Sequence, residues 1–367
     1  MTNFYSTAAL TPPSAVRLRG LAYQAAGHEF SIIVPGSAPS VTWTDYGTLV
    51  TVPARGRSIS RGFVPIARAI SRTLERLVPD QLEVADRLSA RQLGRWAKSN
   101  KVPSLLIVDE SDAVWAAERS LDDFDRLVLT TGQARAGASD SEEPARHTAQ
   151  ALTEPAERVV QIPVGVNLET FSPLRHNSPL HDSSGADVVV VCAAPLTAAG
   201  SVSLAVDVIR KRFEAGDAVH LVVLGDGPLR ARLETSALGL PVQFLSARDL
   251  TLRERAEVFA TADISLVTQT GPDRLAGTLE SLASGTPVIR LTTTGNVNDR
   301  FDFVDGGGLN VSRDVSHIAH AFAVLEAESV EKRRRAARST AVPFDSMPHD
   351  RRMLDVHETL AKLAVDQ

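Results

Sequence analysis

The second half of the chain alternates short, densely apolar runs with amphipathic stretches of about ten residues. Val188–Cys192 ("VVVVC") reads as a buried strand, and Leu204–Phe213 follows with apolar residues at helical spacing. "VHLVVLGDGP" (Val219–Pro228) is a strand ending in a Gly-Asp-Gly turn, and Pro228 opens a helix over "LRARLETSAL". The strand "VQFL", the helix "TLRERAEVFATA", the strand "DISLVTQ", a helix around "LESLASG" and the strand "TPVIRL" complete the series. Gly285 stands where a helix C-cap is expected. Strands alternating with helices of this length predict an α/β fold with a parallel, doubly wound sheet.

The first half repeats the pattern more faintly. "GHEFSIIVPG" is a helix end and a strand, "ARQLGRWAKSNKVPSLLIVDE" a helix followed by a strand, and "FDRLVLTT" a further strand. Gln161–Pro173 ("QIPVGVNLETFSP") reads as a short structured link between the halves, while Gly132–Gln150 is polar, rich in Gly and Ser, and reads as a mobile surface loop. The expectation is two Rossmann-like domains joined near residue 167.

Composition narrows the class. The 367 residues are 43% hydrophobic and 23% charged, globular values with room for two full cores. The longest apolar run, Val188–Leu196, is too short to span a bilayer. A net charge of −5 gives no reason to expect nucleic acid as a partner. One cysteine, Cys192, allows no internal disulfide and fits a reducing compartment, and no secretory signal is visible, so cytoplasm is the expected location. The nine histidines show no metal-ligand spacing.

"PVGVNLETFSP", "VVLGDGPLRARLE" and "LESLASGTPVI" stand in the order and at the distances of three marks of the GT-B glycosyltransferases of retaining family 4. "VADRLSARQLGRWAKSNKVPSLLIVDE", "FDRLVLTT" and "DRRMLDVHETL" resemble the actinobacterial GDP-mannose-dependent α-mannosyltransferases within it. The resemblance covers nearly the whole chain. It implies an N-terminal acceptor-side domain (1–165), a C-terminal nucleotide-sugar domain (166–345) facing it across a cleft, and a last helix (346–367) returning to the N-terminal domain. It also implies a nucleotide-sugar donor, GDP-mannose first, a lipid or glycan acceptor, and no metal or other cofactor.

Several residues that carry chemistry in such enzymes are changed here. In the loop after Val188–Cys192, Pro195 stands where the resemblance implies an arginine and Gly200 where it implies a lysine. Neither supplies charge to a diphosphate, so the loop reads as a phosphate site that has lost its side chains. Of the paired glutamates, Glu280 matches the second, which holds the ribose, whereas Pro272 stands for the first; Asp273 and Arg274 are the nearest carboxylate and cation. Gly277 and Thr278 are candidates to present backbone N–H groups to the phosphates. Asp109 stands where a histidine beside the transferring sugar is implied, and Pro12 and Pro13 occupy a loop that usually contains glycine. The resemblance also implies a full first strand, of which "MTNFYS" supplies only the end.

Two functional classes remain open. One is a retaining hexosyltransferase, with Arg274 standing in for the missing cation. The other is a catalytically degenerate homologue acting as partner or regulator of an active glycosyltransferase, or as a sugar-nucleotide or glycan sensor. Residues 54–77 are strongly basic, with Arg68, Arg72 and Arg76 on one helix face and Ile66, Ile70 and Leu74 opposite. That helix either docks on anionic lipid or packs as an ordinary surface helix. "EKRRRAAR" (Glu331–Arg338) reads as a solvated helix face.

Overall fold

The structure is a computed structural model that describes residues 14–36, 38–53, 59–85, 87–109, 116, 121–131, 158–176, 185–247, 249–269, 274–292 and 301–365. The chain divides into two compact units, Met1–Val164 with Met347–Gln367, and Gly165–Ser346.

The second unit is built on a six-stranded parallel sheet in the order β10-β9-β8-β11-β12-β13. Its strands are β8 (Val188–Ala193), β9 (Val219–Leu224), β10 (Val242–Leu245), β11 (Ile264–Val267), β12 (Val288–Thr292) and β13 (Gly308–Ser312). The valines of β8 are central because both faces of the strand are covered. Val190 and Cys192 share a core with α4 (Val202–Glu214) and α8 (Val315–Glu326). The other helices are α5 (Arg230–Ser236), α6 (Leu252–Thr261), α7 (Arg274–Ala283) and α9 (Val330–Ala341), and α6 and α7 pack on β8, β11 and β12. Successive strands add on opposite sides of β8, so the order reverses between β8 and β11. Doubly wound sheets bind ligands at the carboxyl ends of the strands flanking such a point.

Helix α9 corrects the expectation of a solvated basic face. Arg333 is 6% exposed and donates to Leu325 O. Arg334 donates to the carbonyls of Ala260 and Ala262 at 2.8 and 3.1 Å, and Arg338 to those of Ala283, Phe171 and Leu168 at 2.5, 2.7 and 3.0 Å. Arg334 and Arg338 thus meet carbonyls at the C-terminal ends of α6 and α7, and Arg333 one in the last turn of α8. Only Lys332 and Arg335 behave as expected, exposed and paired with Glu328 and Glu331.

The first unit holds two sheets among its described residues. One is β1-β3-β2, from β1 (Ser31–Gly36), β2 (Ser40–Thr44) and β3 (Gly47–Pro53); the other is parallel, β4-β5-β6-β7, from β4 (Leu82–Val84), β5 (Ser104–Asp109), β6 (Arg126–Thr131) and β7 (Val159–Pro163). Both sheets feed the same two cores. Ile33 packs in one with Leu82 and Leu106, and Ile32 and Val34 in the other with Leu105 and Ile107. Around them lie α1 (Ser14–Ala25), α2 (Ile59–Leu77), α3 (Arg87–Ser99) and α10 (Met347–Val365), the last against α1 and β7. A buried network binds α10 in place: Glu83 on β4 accepts from Tyr23 (2.6 Å), pairs with Arg19 (3.4 Å) and lies 2.8 Å from His357 Nε2.

On α2, Ile70 and Leu74 are buried and Arg68, Arg72 and Arg76 exposed, the two faces read from the sequence. The loop 132–150, Pro12, Pro13 and the segment before α1 lie outside the described residues.

Candidate functional site

The loop after β8 leaves the sheet at the reversal point, and its backbone is committed internally. Ala194 N–H donates to Leu224 O (3.2 Å), Leu196 N–H to Asp226 O (2.9 Å) and Leu229 N–H to Leu196 O (3.0 Å). Thr268 donates to Gly200 O at 2.6 Å, and its oxygen lies 3.5 Å from Cys192 Sγ. Burial pushes that thiol up to about 11, which suits an inert core cysteine. Gly227 holds φ +156°, and a Cβ there would stand 2.5 Å from Leu196 O, so glycine lets the Gly-Asp-Gly turn close on the loop. At Gly200 a Cβ would stand 1.8 Å from Pro195 O. No side chain fits at 200 unless the loop opens. Ser201, the N-cap of α4, is a left-handed residue (φ 51°) that makes no side-chain cap, so the first amides of α4 lack a side-chain acceptor from it.

A second corner lies beside this loop: a Cβ on Gly277 of α7 would be 3.8 Å from Ala193 O. Here charged side chains are present. Glu280, 3% exposed, accepts from Arg255 Nε at 3.0 Å and Nη2 at 2.6 Å, both on Oε2. The Arg255 guanidinium also lies 5.2 Å over the Phe259 ring. Arg290 on β12 is 5% exposed, on the face opposite its core neighbours Ile289 and Leu291. Burial and the charge of nearby Arg274 push Arg290 down to about 10, and burial lowers Arg274 as well. Arg313 donates to Thr268 O at 3.0 Å. Among the described residues, no cluster of three or more His, Cys, Asp or Glu could hold a metal ion.

Comparison with known proteins decides the family. No protein-family profile matches the chain. Over 369 aligned residues, 94% of this chain and 91% of the relative, it is 32% identical to the GDP-mannose-dependent alpha-(1-6)-phosphatidylinositol dimannoside mannosyltransferase of Mycobacterium tuberculosis H37Ra, and equally to that of strain CDC 1551. The chain belongs to the GT-B glycosyltransferases of family 4. Solved structures agree in fold. Sucrose-phosphate synthase from Thermosynechococcus elongatus superposes with TM-score 0.64 at 15% identity, covering 98% of this chain and 99% of that one. The lipopolysaccharide glycosyltransferase WaaG superposes at 0.62 and 13%, covering 97% and 99%. Anabaena HepE in complex with UDP and glucose superposes at 0.62 and 12%, covering 98% and 100%.

In this glycosyltransferase the candidate residues fall as follows. Arg274 is the first residue of α7 and Glu280 sits in its middle, against α6. Gly277 and Thr278 are the fourth and fifth residues of α7 as described, one turn in from Arg274. Thr278 is fully buried and its hydroxyl donates to Arg274 O at 2.9 Å, so it faces the helix. Asp109 ends β5 opposite Thr130; its side chain, like Glu110, Pro272 and Asp273, lies outside the described residues.

Two residues of this corner escaped sequence reasoning. Arg290 left a signal, a lone arginine inside the otherwise apolar strand "TPVIRL". Arg255 left none, because "TLRERAEVF" is an ordinary amphipathic helix until α7 is packed beside it. Among the described residues, no helix is long and apolar enough to cross a membrane.

Proposed function

We propose that this chain transfers a mannosyl group from GDP-mannose, with retention, to a hydroxyl of a lipid-linked acceptor, and that it does so without a metal ion. The M. tuberculosis relatives are named for that donor and for a phosphatidylinositol mannoside acceptor. The observation that carries the reading is the Arg290 guanidinium, 5% exposed on β12, together with Arg274 opening α7, the helix whose Gly277 lies beside the end of β8 and the loop that has lost its own cations. The diphosphate leaves bearing charge as the sugar moves, and cations held in place stabilise it. The open amides at the start of α4 and α7 add to that field. Glu280 accepts from the ribose.

A lipid acceptor suits the first unit. A groove of about 860 Å³ between β2, β3 and α2 is lined by Val41, Trp43, Ala69, Leu77, Arg72 and Arg76. Trp43 is 82% and Val41 62% exposed, so an aromatic edge lies beside a basic helix face, the pairing that favours an anionic lipid surface. Peripheral membrane contact through 54–77 follows from the same reading.

The test incubates the full chain with GDP-mannose and phosphatidylinositol mannoside vesicles and measures mannose transferred to lipid. Transfer by the native chain, lost in Arg290→Gln, supports the reading. Absence of transfer together with absence of GDP-mannose binding favours a non-catalytic partner of an active glycosyltransferase, or a sensor. The observation on that side is the Pro195 carbonyl, which fills the space a lysine at 200 would need.

A further inference from the structure

Glu280 is an unusual buried carboxylate because, among the described residues, only one of its oxygens is engaged. Arg255 places two N–H groups on Oε2, at 3.0 and 2.6 Å. Oε1 accepts no hydrogen bond among the described residues, and it is not one of the buried side-chain atoms left without a partner. A buried oxygen in that state would be costly, so Oε1 is the atom through which this 3%-exposed residue reaches the surface. The clamp is itself rigid. Arg255 is stacked on Phe259 one turn along α6, the fully buried Phe259 ring meets Phe171 edge-on, and Arg334 fixes the C-terminal carbonyls of α6.

We propose that Arg255 is a positioning residue for nucleotide recognition: by holding Oε2 from one side, it presents Oε1 of Glu280 as a fixed acceptor for a ribose hydroxyl of the donor. The inference rests on the nucleotide-sugar reading and adds a residue that reading does not need. Without Arg255 the carboxylate would still be near the ligand, but it would be free to rotate. The hydroxyl would then gain less from it, since a fixed charged acceptor avoids the ordering cost that a mobile one incurs on binding. An arginine serving only to pack α6 against α7 would support all ligands alike.

The experiment is calorimetric titration of the full chain with GDP and with 2′,3′-dideoxy-GDP, in the native protein and in Arg255→Met, Arg255→Lys and Glu280→Gln. Native protein is expected to prefer GDP by about tenfold or more, the effect of one hydrogen bond to a charged group. Arg255→Met should bring the ratio close to one while the dideoxy nucleotide binds as before, and Arg255→Lys, which keeps one charged donor on Oε2, should restore part of the ratio. Should Arg255→Met fail to fold, Arg255→Gln must lower the ratio in the same direction. Equal weakening of both nucleotides by Arg255→Met, with the ratio kept, overturns the positioning role and leaves the donor reading intact. A native chain that binds both nucleotides equally removes Glu280 as the hydroxyl acceptor and the inference with it. A native chain that binds neither GDP nor GDP-mannose brings down the donor reading itself.

Discussion

Among the described residues each unit buries one glutamate almost completely, and the two are held in different ways. Glu83, 1% exposed, uses both oxygens: Oε1 with Tyr23 and His357, Oε2 with Arg19. Glu280, 3% exposed, uses Oε2 alone, and that twice, with Arg255. A fully satisfied carboxylate has nothing left to offer a ligand, and its partners lie on α1 and α10, which it ties to β4. A half-satisfied one held rigidly is an acceptor in waiting. Burial alone does not separate structural from ligand-binding charge; the count of engaged lone pairs does.

The largest expected effect is on the closed network. Glu83→Ala leaves Arg19 and His357 facing a vacancy in the core and should destabilise the first unit by about 3–5 kcal/mol. Chemical denaturation would read this as an early transition confined to that unit. A loss below about 1 kcal/mol would mean that the network is solvated and that the contrast with Glu280 is empty.

Acid should find the same network first. Burial alone would raise Glu83, but Arg19, His357 and Tyr23 outweigh it and hold the carboxyl at about 2, against an ordinary 4.5. A carboxyl depressed in the folded state contributes stability that is complete above 4.5 and is lost as pH falls towards 2. The shift corresponds to roughly 3 kcal/mol. Thermal melts between pH 5 and 2.5 should therefore show the native chain losing stability more steeply than Glu83→Gln. Parallel slopes would contradict the assignment.

A smaller effect separates the two corners of the second unit. Gly200→Lys restores the charge that the resemblance implies, yet its Cβ meets Pro195 O at 1.8 Å, so the loop must open to admit it. The expected cost is about 1–3 kcal/mol of stability, as for other overpacked sites, with no gain in GDP-mannose affinity. A stable variant that binds the donor more tightly would show that the loop is empty and not closed.

These outcomes bear on what the sequence could reveal. The parallel sheet of the second unit was legible because both faces of β8, β9 and β11 are covered, leaving strands rich in valine, leucine and isoleucine. The β2–β3 hairpin went unnamed although "SVTWTDYGTLVTV" alternates, because one face of β2 is exposed and its apolar residues, Val41 and Trp43, lie on the surface. The arginines of α9 were misread for a related cause: their partners are carbonyls, and carbonyls leave no trace in a sequence. Glu280 was found through its motif, but Arg255 lies 25 positions away on another helix and becomes its partner only through packing. The loss of cations after β8 was visible as Pro195 and Gly200; that the loop had closed over the gap was not.

The smallest effect tests whether that loop still faces a diphosphate. Pro195 is half-buried, and its carbonyl accepts from Thr197 N–H at 2.8 Å, a bond that any residue at 195 can keep. Unlike position 200, it already carries a Cβ, so a longer side chain begins with no backbone in its way. Pro195→Arg should therefore fold normally and place one guanidinium beside the open amides of α4 and the Arg274–Arg290 pair. One new charge-assisted bond contributes about 1.5 kcal/mol or more, which is roughly a tenfold gain in affinity for GDP-mannose. Titration at low and high salt distinguishes a direct contact from a diffuse field, since the gain from a buried contact persists where a surface one is screened. No gain at low salt would place the diphosphate away from the β8 loop, leaving the α7 corner to bind it alone.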